Sequence, residues 1–535
     1  VNSDERLTSP FVRDPDNQRQ LLGTDWGSAL ASSAEAIRRA GPQKVGIIGG
    51  SRLTNEDAYA WSKFARSVIG TDNVDAQLGD GLPAELVLGL PPATIADACE
   101  ADTVLVIGPD LKEELAILHL RLRGAATKGR TQVVQIGAAT TGSDSYAQRS
   151  IRCQTGEAAK TLSELLSSDD PLAKQLSDGS VVVILGRSSV AESVDPAVAT
   201  AAVIQAELPH ATFLVAVRRG NVRGALDMGL APGFLPGRTR ISNPSASLTE
   251  KWKQIPEKSG LGTSEMLQAA AAGQIETLIL LGADPLSDFP DRNLAADAIQ
   301  KTKTVIAIDN FATSSVAQAD IVLPATAYGE QSGTTTNIEG RISRVAQKIT
   351  SPGSTRDDWM IATELAWRLG GDLELTSKED IWREIEQVAP SHAGITLERV
   401  QSSEMFEGIL VQQSSIDLAL PVPKDTPVAD GYGLRLISGR KLWDAATTTQ
   451  QSPSLRHLAE SPSIKVHPND LQRLGIPSGT EVRVISTRAT ENLTVTADDN
   501  VQRGTAILPF NQPGGGANRF IDATAVINDI RIETL

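Results

Sequence analysis

The chain contains 535 residues, and its formal net charge of −15 argues against nucleic acid or an anionic lipid surface as its main partner. Hydrophobic residues make up 40% and charged residues 21% of the sequence, which is ordinary for globular protein. A chain of this length exceeds one hydrophobic core, so we expect three or four domains of about 150 residues each.

Targeting signals are absent from the sequence as it stands. No apolar run approaches the roughly 20 residues that a transmembrane helix needs, and the first residues, VNSDERLTSP, lack the basic and apolar regions of a signal peptide. We therefore expect a soluble chain that is not visibly exported. Because the sequence begins at Val1 rather than Met, it can be a fragment of a longer protein.

The sequence contains two cysteines, Cys99 and Cys153, and neither has a second Cys or a His at ligand spacing. An iron-sulfur cluster or a structural zinc site needs several such ligands together. We expect neither centre in this chain by itself, and we interpret both cysteines as buried small apolar residues rather than reactive thiols.

Apolar strands alternate with helices along the first part of the chain. A helix begins after Asp25 as N-cap and stops at Gly41-Pro42. Further elements are predicted as a strand at 45–48 that ends in Gly49-Gly50, a helix at 55–69, a strand at 103–107, a helix at 113–122 and a strand at 132–136. This alternation predicts a parallel sheet covered by helices on both faces.

A second alternating block follows, and it favours two doubly wound units in succession over one larger sheet. Its strands are predicted at 181–185, 212–217, 277–281 and 304–308, with helices at 197–208, 264–272 and 293–301. Residues 221–247 are rich in Gly, Pro and Arg and form the longest predicted loop of this block. Loops of that length are usually functional or interfacial.

Residues 320–348, ADIVLPATAYGEQSGTTTNIEGRISRVAQK, carry the most specific pattern. An apolar strand stops at Pro324, and a run of Gly, Ser, Thr and Asn follows that is too polar for core. We expect the backbone of this run to lie against something, because its glycines permit close approach and its polar side chains offer hydrogen bonds and fixed charges.

The sequence pattern changes from helices to short strands in the last part of the chain. Two helices are predicted at 357–369 and 378–388, and a proline-rich domain boundary follows at 417–433. Short strands then follow at 434–438, 463–466, 481–486, 492–497 and 504–508, which indicates a compact β barrel.

The pattern at 320–348 resembles the signature of the molybdopterin oxidoreductase superfamily, in the form found in the large iron-sulfur subunit of bacterial NADH-quinone oxidoreductase, respiratory complex I. Three other segments are similar to the same family in the expected order: GIIGGSRLTNEDAYAWSKFARSVIGTDNVD, LLGADPLSDFPD, and HPNDLQRLGIPSGTEVRVIS of the C-terminal dinucleotide-binding barrel. Four concordant segments make chance convergence a poor explanation.

The resemblance implies an α/β fold with two doubly wound, mainly parallel domains and a C-terminal β barrel of the double-psi type. The expected segments are a leading segment at 1–40, a first nucleotide-binding-like domain at 41–175 with 331–416, a second at 176–330, a linker at 417–433 and the barrel at 434–535.

In active members of the family, two pterin guanine dinucleotides lie across the two α/β domains. The positions that match this pocket, in vestigial form, are Gly49, Gly50, Gly108, Gly282, Asp284, Asp309, Glu330, Gly333, Thr334, Asn337, Arg341, Arg440 and His467. Strand ends elsewhere also use Gly and Asp, so each strand-end residue has an ordinary structural interpretation as well. Arg341 can pair with Glu330 or Glu339 inside the loop instead of binding phosphate.

Catalytic relatives present a Cys, selenocysteine, Ser or Asp to molybdenum or tungsten, in a region that matches residues after Asp75. No Cys or Ser stands near Gly81, and Asp80 is the one plausible substitute, with a turn residue as the simpler interpretation. We therefore predict no catalytic residue and no metal ligand in this chain.

The resemblance thus implies a scaffold region in the peripheral arm of complex I, with no acid-base chemistry of its own. The whole proton-pumping complex would transfer electrons from NADH to quinone, with [4Fe-4S] and [2Fe-2S] clusters in a preceding region and none in this chain. Expected partners are the flavin-containing NADH-binding subunit and neighbouring iron-sulfur subunits, at the cytoplasmic side of the inner membrane. The alternative is an active oxidoreductase of formate-dehydrogenase type with molybdopterin guanine dinucleotide and Asp80 on the metal.

Overall fold

The computed structural model describes residues 3–14, 20–402, 407–412, 420–429, 431 and 433–535. The chain divides into two units, each with its own parallel sheet. Unit 1 comprises Val1–Gly79, Arg218–Phe289 and Leu294–Ile416, and unit 2 comprises Asp80–Val217, Pro290–Asn293 and Asp417–Leu535. The predicted linker at 417–433 falls partly outside the described residues.

The strands are β1 Phe11–Arg13, β2 Leu21–Gly23, β3 Val45–Gly49, β4 Val74–Asp75, β5 Thr103–Ile107, β6 Gln132–Gly137, β7 Arg149–Arg152, β8 Val181–Leu185, β9 Thr212–Val215, β10 Phe234–Leu235, β11 Thr239–Arg240, β12 Thr277–Leu281, β13 Thr304–Asp309, β14 Ile321–Pro324, β15 Gly333–Thr336, β16 Arg341–Val345, β17 Ile409–Leu410, β18 Leu434–Ile437, β19 Ser463–Val466, β20 Glu481–Ile485, β21 Thr490–Ala497, β22 Thr505–Ile507 and β23 Asp529–Thr534.

The helices are α1 Trp26–Ala40, α2 Asn55–Lys63, α3 Ala84–Gly89, α4 Ile95–Glu100, α5 Leu111–Glu114, α6 Ala116–Ala126, α7 Ala158–Leu166, α8 Pro171–Asp178, α9 Asp195–Glu207, α10 Val222–Asp227, α11 Ala246–Trp252, α12 Thr263–Ala271, α13 Pro285–Asp288, α14 Arg292–Lys301, α15 Asp358–Arg368, α16 Lys378–Val388, α17 Leu397–Gln401, α18 Thr447–Gln450 and α19 Pro468–Leu474. No helix in the described ranges has the length and apolar character needed to cross a membrane.

Unit 1 is built on a seven-stranded sheet in the order β2-β1-β14-β13-β12-β3-β4. The strands from β14 to β4 run parallel, whereas β1 pairs antiparallel with β14 and β2 with β1. Strands β3, β12 and β13 are buried along their whole length, as expected for a sheet covered on both faces. Helix α2 packs here with all nine of its residues buried.

Unit 2 contains a parallel five-stranded sheet in the order β7-β6-β5-β8-β9 and a closed barrel in the order β18-β22-β19-β21-β20-β23. Val190 and Ala191, which follow the sheet strand β8, are buried in the barrel core. The amide of Val190 also donates to the carbonyl of Ser438 at 2.8 Å, so the sheet and the barrel of this unit share a core. The predicted fold class, α/β with parallel sheets and a C-terminal barrel, is confirmed.

The sheets combine segments differently from the expected domain ranges. Strand β3 pairs with β12, although the sequence placed the first of these strands in the first domain and the second in the second domain. Strands β5 and β6 join β8 instead, and the leading segment 1–40 adds β1 and β2 to the edge of the unit 1 sheet. The reason is that apolar runs identify buried strands but carry no information on which strand becomes a neighbour.

Two local expectations also differ from the structure. The predicted loop at 221–247 contains the buried helix α10 and the hairpin of β10 and β11, because its apolar residues turn into the core of unit 1. The helix predicted at 55–69 changes after Lys63 into a π-helical turn at Phe64–Ile69, where the Arg66 guanidinium bonds to Asp72 and to two carbonyls of the 221–247 segment.

Candidate functional site

Each parallel sheet has one point where the strand order reverses, and ligands of doubly wound folds bind outside the carboxyl ends of the strands at such a point. In unit 1 the reversal falls between β3 and β12, and in unit 2 between β5 and β8. Glycines end all four strands: Gly49 and Gly50, Gly282, Gly108, and Gly186. We call these places the unit 1 edge and the unit 2 edge.

The glycines of the unit 1 edge allow strand ends to approach closely. The amide of Gly50 donates to the carbonyl of Leu281 at 2.9 Å, and the amide of Gly282 donates to that of Ile308 at 2.8 Å. Gly49 has a φ of +106°, and a Cβ there would collide with the carbonyl oxygen of Leu281. The backbone amides of Gly50 and Gly282 are therefore engaged in hydrogen bonds between neighbouring strands.

Three buried carboxylates, Asp284, Asp288 and Asp309, collect beside these glycines. Asp284 accepts hydrogen bonds from the amide of Ser315 at 3.0 Å and from its hydroxyl, and burial raises the pKa of Asp284. Burial also raises the pKa of Asp309 to about 6, against the opposing effect of the Arg52 guanidinium. Arg52 lies 3.1 Å from Asp288. The unit 1 edge is thus acidic, with carboxylates that can accept hydrogen bonds from a guanine or a ribose.

The unit 2 edge opens into a cavity lined by residues that include Gly186, Arg187, Cys153 and Glu192. A Cβ at Gly108 would lie 3.0 Å from the amide nitrogen of Gly186, so the two strand ends meet closely here too. The Arg187 guanidinium donates to the carbonyls of Val190, at 3.1 Å, and Glu192. Burial raises the pKa of Glu192 to about 7 and that of Cys153 to about 12, so the thiol stays protonated near neutral pH.

The polar run of the signature, residues 330–341, is here called the signature loop, and its side chains bond to unit 1 itself. Arg6 donates twice to Glu330, at 2.7 Å to each oxygen, in a nearly fully buried ion pair. The amide of Thr334 donates to Glu56 Oε2 at 2.8 Å, and a Cβ at Gly333 would lie 2.8 Å from the same oxygen. The backbone of the signature loop therefore lies against helix α2, in agreement with the close approach that its glycines predict.

The end of the signature loop is a tight turn. Asn337 Oδ1 accepts from the amides of Glu339, at 3.0 Å, and Arg341, at 2.9 Å. Arg341 pairs with Glu339 at 3.1 Å, which is one of the two pairings expected from sequence. These contacts give Asn337 and Arg341 structural partners within the loop.

Asp80, the alternative metal ligand, lies in unit 2 beside Arg440. Its side chain has 0% exposure, and Oδ2 lies 3.7 Å from Arg440 Nη2. The same guanidinium bonds Asp444 at 3.1 Å and lies 4.7 Å from the centre of the Phe510 ring. The Asp80 carboxylate is therefore enclosed and faces a guanidinium.

Two polar groups of the barrel sequence lack hydrogen-bond partners among the described residues. Gln512 Oε1 and Asn518 Nδ2 are buried without a hydrogen bond, in the segment that follows Phe510. Buried polar groups of this kind usually bind water or a ligand. His467 lies apart from them as the N-cap of α19, where Nδ1 accepts from the amide of Asn469 at 3.1 Å. No group of three or more His, Cys, Asp or Glu in the described ranges could hold a metal ion.

The structure distributes the predicted residues over several positions in the two units. Gly49, Gly50, Gly282, Asp284 and Asp309 share the unit 1 edge, and Glu330 to Arg341 form the signature loop of that unit. Gly108, Asp80, Arg440 and His467 belong to unit 2. Sequence reasoning missed Gly186, Arg187 and Asp288, although Gly186 directly follows an apolar strand, as Gly108 does.

Comparison with known proteins identifies the family. The chain belongs to the molybdopterin oxidoreductase family: the profile of that family matches residues 6–368, and the profile of the molybdopterin dinucleotide binding domain matches residues 434–529. The fold is also that of acetylene hydratase from Pelobacter acetylenicus, with a TM-score of 0.68 and 16% identity over 100% of this chain and 93% of the other.

Relatives with different functions are similar to the chain at nearly equal identity. NADPH-Fe(3+) oxidoreductase subunit alpha of Geobacter sulfurreducens is 26% identical, over 100% of this chain and 68% of that protein. F420-dependent formate dehydrogenase 1 subunit alpha of Methanococcus maripaludis is 26% identical, over 97% and 88%. The G 2 subunit of NADH-quinone oxidoreductase of Rhizobium meliloti is 26% identical, over 96% and 64%. The match to a complex I subunit is therefore one among several at the same identity.

Proposed function

We propose that the chain is the molybdopterin-oxidoreductase-like region of the large iron-sulfur subunit in an NADH-quinone oxidoreductase, and that it acts as a scaffold with a degenerate metal position. The single observation that carries this proposal is the ion pair of Asp80 with Arg440. The one carboxylate that could replace a Cys or Ser ligand is neutralised by a guanidinium and enclosed by protein, so it serves stability instead of catalysis.

The signature loop supports the same proposal. Its polar groups bond within unit 1: Glu330 accepts from Arg6, the Thr334 hydroxyl accepts from Asn55, the Thr334 amide donates to Glu56, and Arg341 donates to Glu339. A loop whose polar groups are satisfied internally can keep a fold rigid without a cofactor. In this proposal the residues of each edge, and those of the signature loop, are vestigial.

The proposed context is the peripheral arm on the cytoplasmic side of the inner membrane. There the whole complex would pass electrons from NADH to quinone, and the iron-sulfur clusters would lie in a preceding region of the subunit. The NADH-binding flavin subunit and neighbouring iron-sulfur subunits would be the partners. The similarity to the G 2 subunit of Rhizobium meliloti supports this context, since the chain spans 64% of that protein.

The second candidate is an active molybdopterin oxidoreductase of formate-dehydrogenase type. Two observations favour it: the similarity to formate dehydrogenase 1 subunit alpha over 88% of its length, and the buried Gln512 and Asn518 side-chain atoms that lack hydrogen-bond partners among the described residues. A third possibility keeps a bound nucleotide as a structural group without the redox chemistry. The three candidates differ in whether the purified protein contains a metal or a bound nucleotide.

Metal analysis of the protein from its native complex separates the candidates. We expect no stoichiometric molybdenum or tungsten, and about one equivalent would overturn the scaffold proposal. Small molecules released by denaturation and identified by mass spectrometry test the third possibility. A guanine nucleotide without metal would support a structural nucleotide, and its absence would exclude one.

A pair of variants tests the role of Asp80 directly. We expect Asp80→Asn to lower the free energy of unfolding by about 1 kcal/mol, because Arg440 keeps its contact with Asp444, and to leave the metal content unchanged. Asp444→Asn is the matched control, because it removes the other carboxylate on the same guanidinium. A loss of bound metal in Asp80→Asn but not in Asp444→Asn would instead establish the enzyme.

A further inference from the structure

Five ionisable side chains gather in unit 1 where three helices begin. Glu56 and Asp57 lie in the first turn of α2, Asp357 is the N-cap of α15, Asp358 is its first residue, and Lys378 is the first residue of α16. Glu56, Asp57 and Asp358 are at most 1% exposed. We call this group the helix-start cluster.

Lysine 378 is the single cation of the helix-start cluster. Its Nζ lies 3.0 Å from Asp357 Oδ2 and 3.7 Å from Asp57 Oδ2. Asp57 also accepts a hydrogen bond from the amide of Trp359 at 3.1 Å, which joins α2 to α15. Asp358 Oδ1 is buried without a hydrogen-bond partner among the described residues.

The same cluster holds the signature loop. Lys378 Nζ donates to Gln331 Oε1 at 2.8 Å and to the carbonyl of Ser332 at 2.5 Å. Two residues later, the amide of Thr334 donates to Glu56 Oε2 at 2.8 Å. One face of the loop is therefore bonded to the only cation of the cluster and to one of its four carboxylates.

The charges of the cluster do not balance when all four carboxylates are ionised. One lysine supplies a full positive charge, and each of three helix N-termini supplies about half a charge, which gives roughly +2.5 against −4. Buried charge that is not compensated is unfavourable by several kcal/mol, so the folded cluster retains one or two protons.

We propose that the helix-start cluster is a protonation-sensitive latch, which holds the signature loop against α2 and α16 while it retains protons and loosens when the protons leave. This device goes beyond the proposed scaffold function and does not depend on it. It requires only the loop contacts and the excess of buried carboxylates.

Burial acts in the direction that the latch needs. It raises the pKa of Glu56 to about 7, against the lowering effects of Lys378 and of the hydrogen bond from the Thr334 amide. Burial with the nearby Asp357 charge raises the pKa of Asp57, against the effect of Lys378. Burial, Asp57, Asp357 and the more distant Asp309 raise the pKa of Asp358. Burial lowers the pKa of Lys378, but the carboxylates outweigh it and raise that pKa, so the lysine stays charged.

Proton linkage sets the direction of the effect. A carboxyl group whose pKa is higher in the latched state than in the open state binds its proton more tightly when latched. The latch is therefore strongest below the usual glutamate pKa of about 4.5, and it weakens as the pH rises toward 7. Each proton released changes the opening equilibrium by up to about tenfold per pH unit in that window.

Hydrogen exchange of the full 535-residue chain tests the latch. Opening constants for the amides of residues 333–336 are measured at about pH 5.5 and about pH 7.5, after correction for the intrinsic dependence of exchange on pH. We expect them to rise about tenfold, while amides of α1 keep a constant protection. Equal loop constants at the two pH values would overturn the proposal without any variant.

Two substitutions with a matched control locate the effect. Glu56→Gln is expected to remove most of the pH dependence, because it keeps an acceptor for Thr334 but cannot ionise. Glu379→Gln is the control, since Glu379 is a glutamate beside Lys378 in the first turn of α16 and lies outside the cluster. Full pH dependence in Glu56→Gln, or its loss in Glu379→Gln, would contradict the latch.

Substitution of the lysine tests the other contact. We expect Lys378→Met to raise the opening constants at the lower pH already, and Lys378→Arg to restore most of the protection because it keeps the charge and the donors. A structural role without protonation control would give the same opening in Lys378→Met but leave the wild-type loop insensitive to pH.

Discussion

The unit 1 edge and the unit 2 edge have the same topology and different chemistry. In both, a parallel sheet reverses its strand order between two strands that end in glycine. The first edge carries Asp284, Asp288 and Asp309 with Arg52, whereas the second carries Arg187, Glu192 and Cys153 around a cavity. The shared topology fixes where a ligand can bind, and the side chains decide what it can be.

The glycines also have different roles at the two edges. Gly49 needs a positive φ and has a carbonyl oxygen in the place of a Cβ, whereas Gly108 needs only the close approach of the Gly186 backbone. Unit 1 therefore depends on glycine more strictly than unit 2 does. Substitutions at the two edges test this difference through the free energy of unfolding.

The largest effect is expected from Gly49→Ala. The new Cβ would overlap the carbonyl oxygen of Leu281 at an unfavourable φ, so the free energy of unfolding should fall by about 3 kcal/mol. Chemical denaturation of the full chain measures it. Gly282→Ala is the matched control at the same edge, because its φ is also positive but no atom lies within 4 Å of the new Cβ. Equal losses would show that φ alone matters.

A smaller effect is expected from the buried acids of the two edges. The pKa of Asp309 is raised to about 6 and that of Glu192 to about 7, so the folded state holds these protons and stability falls as the pH rises from about 4 toward those values. Asp309→Asn and Glu192→Gln should each raise the free energy of unfolding at about pH 8 by about 2 kcal/mol.

The same two variants should give no gain at about pH 4, where the wild-type carboxyl groups are already protonated in the folded state. Denaturation curves at the two pH values provide the comparison. Destabilisation at the higher pH by either amide would mean that the ionised acid is stabilised in the folded state, contrary to the direction of its pKa shift.

The smallest effect is expected from Gly108→Ala. Its Cβ would lie 3.0 Å from the Gly186 amide nitrogen, which a backbone shift of a few tenths of an ångström relieves. Alanine also lowers the conformational entropy of the unfolded chain, which offsets part of this cost. The free energy of unfolding should therefore fall by about 1 kcal/mol. A loss as large as that of Gly49→Ala would remove the distinction between the edges.

Much of the local structure could be predicted because it depends on neighbouring residues. Asp25 caps α1 with a hydrogen bond from the amide of Ser28 at 2.9 Å, and Gly41 ends it with a φ of +74°, as the sequence indicates. The barrel strands follow the same rule, except that β23 was not predicted. The family signature, too, is a local pattern.

The site could be predicted only in part. Sequence placed Gly49 and Gly282 at strand ends, but it assigned their strands to different domains, so it could not bring them to one edge. It also could not indicate that Lys378 and Glu56 hold the signature loop, since both are far from it in the chain. Such contacts depend on long-range packing.

The sequence by itself determined the family, the alternation of strands and helices, the barrel, and the small set of residues from which a pocket could be built. Periodicity and caps are properties of adjacent residues, so they can be read without a fold. Three features depend on the tertiary structure: β3 pairs with β12, Asp80 lies beside Arg440, and the four carboxylates of the helix-start cluster surround Lys378. The physical reason is that strand pairing and the compensation of buried charge are decided by which distant segments bury each other.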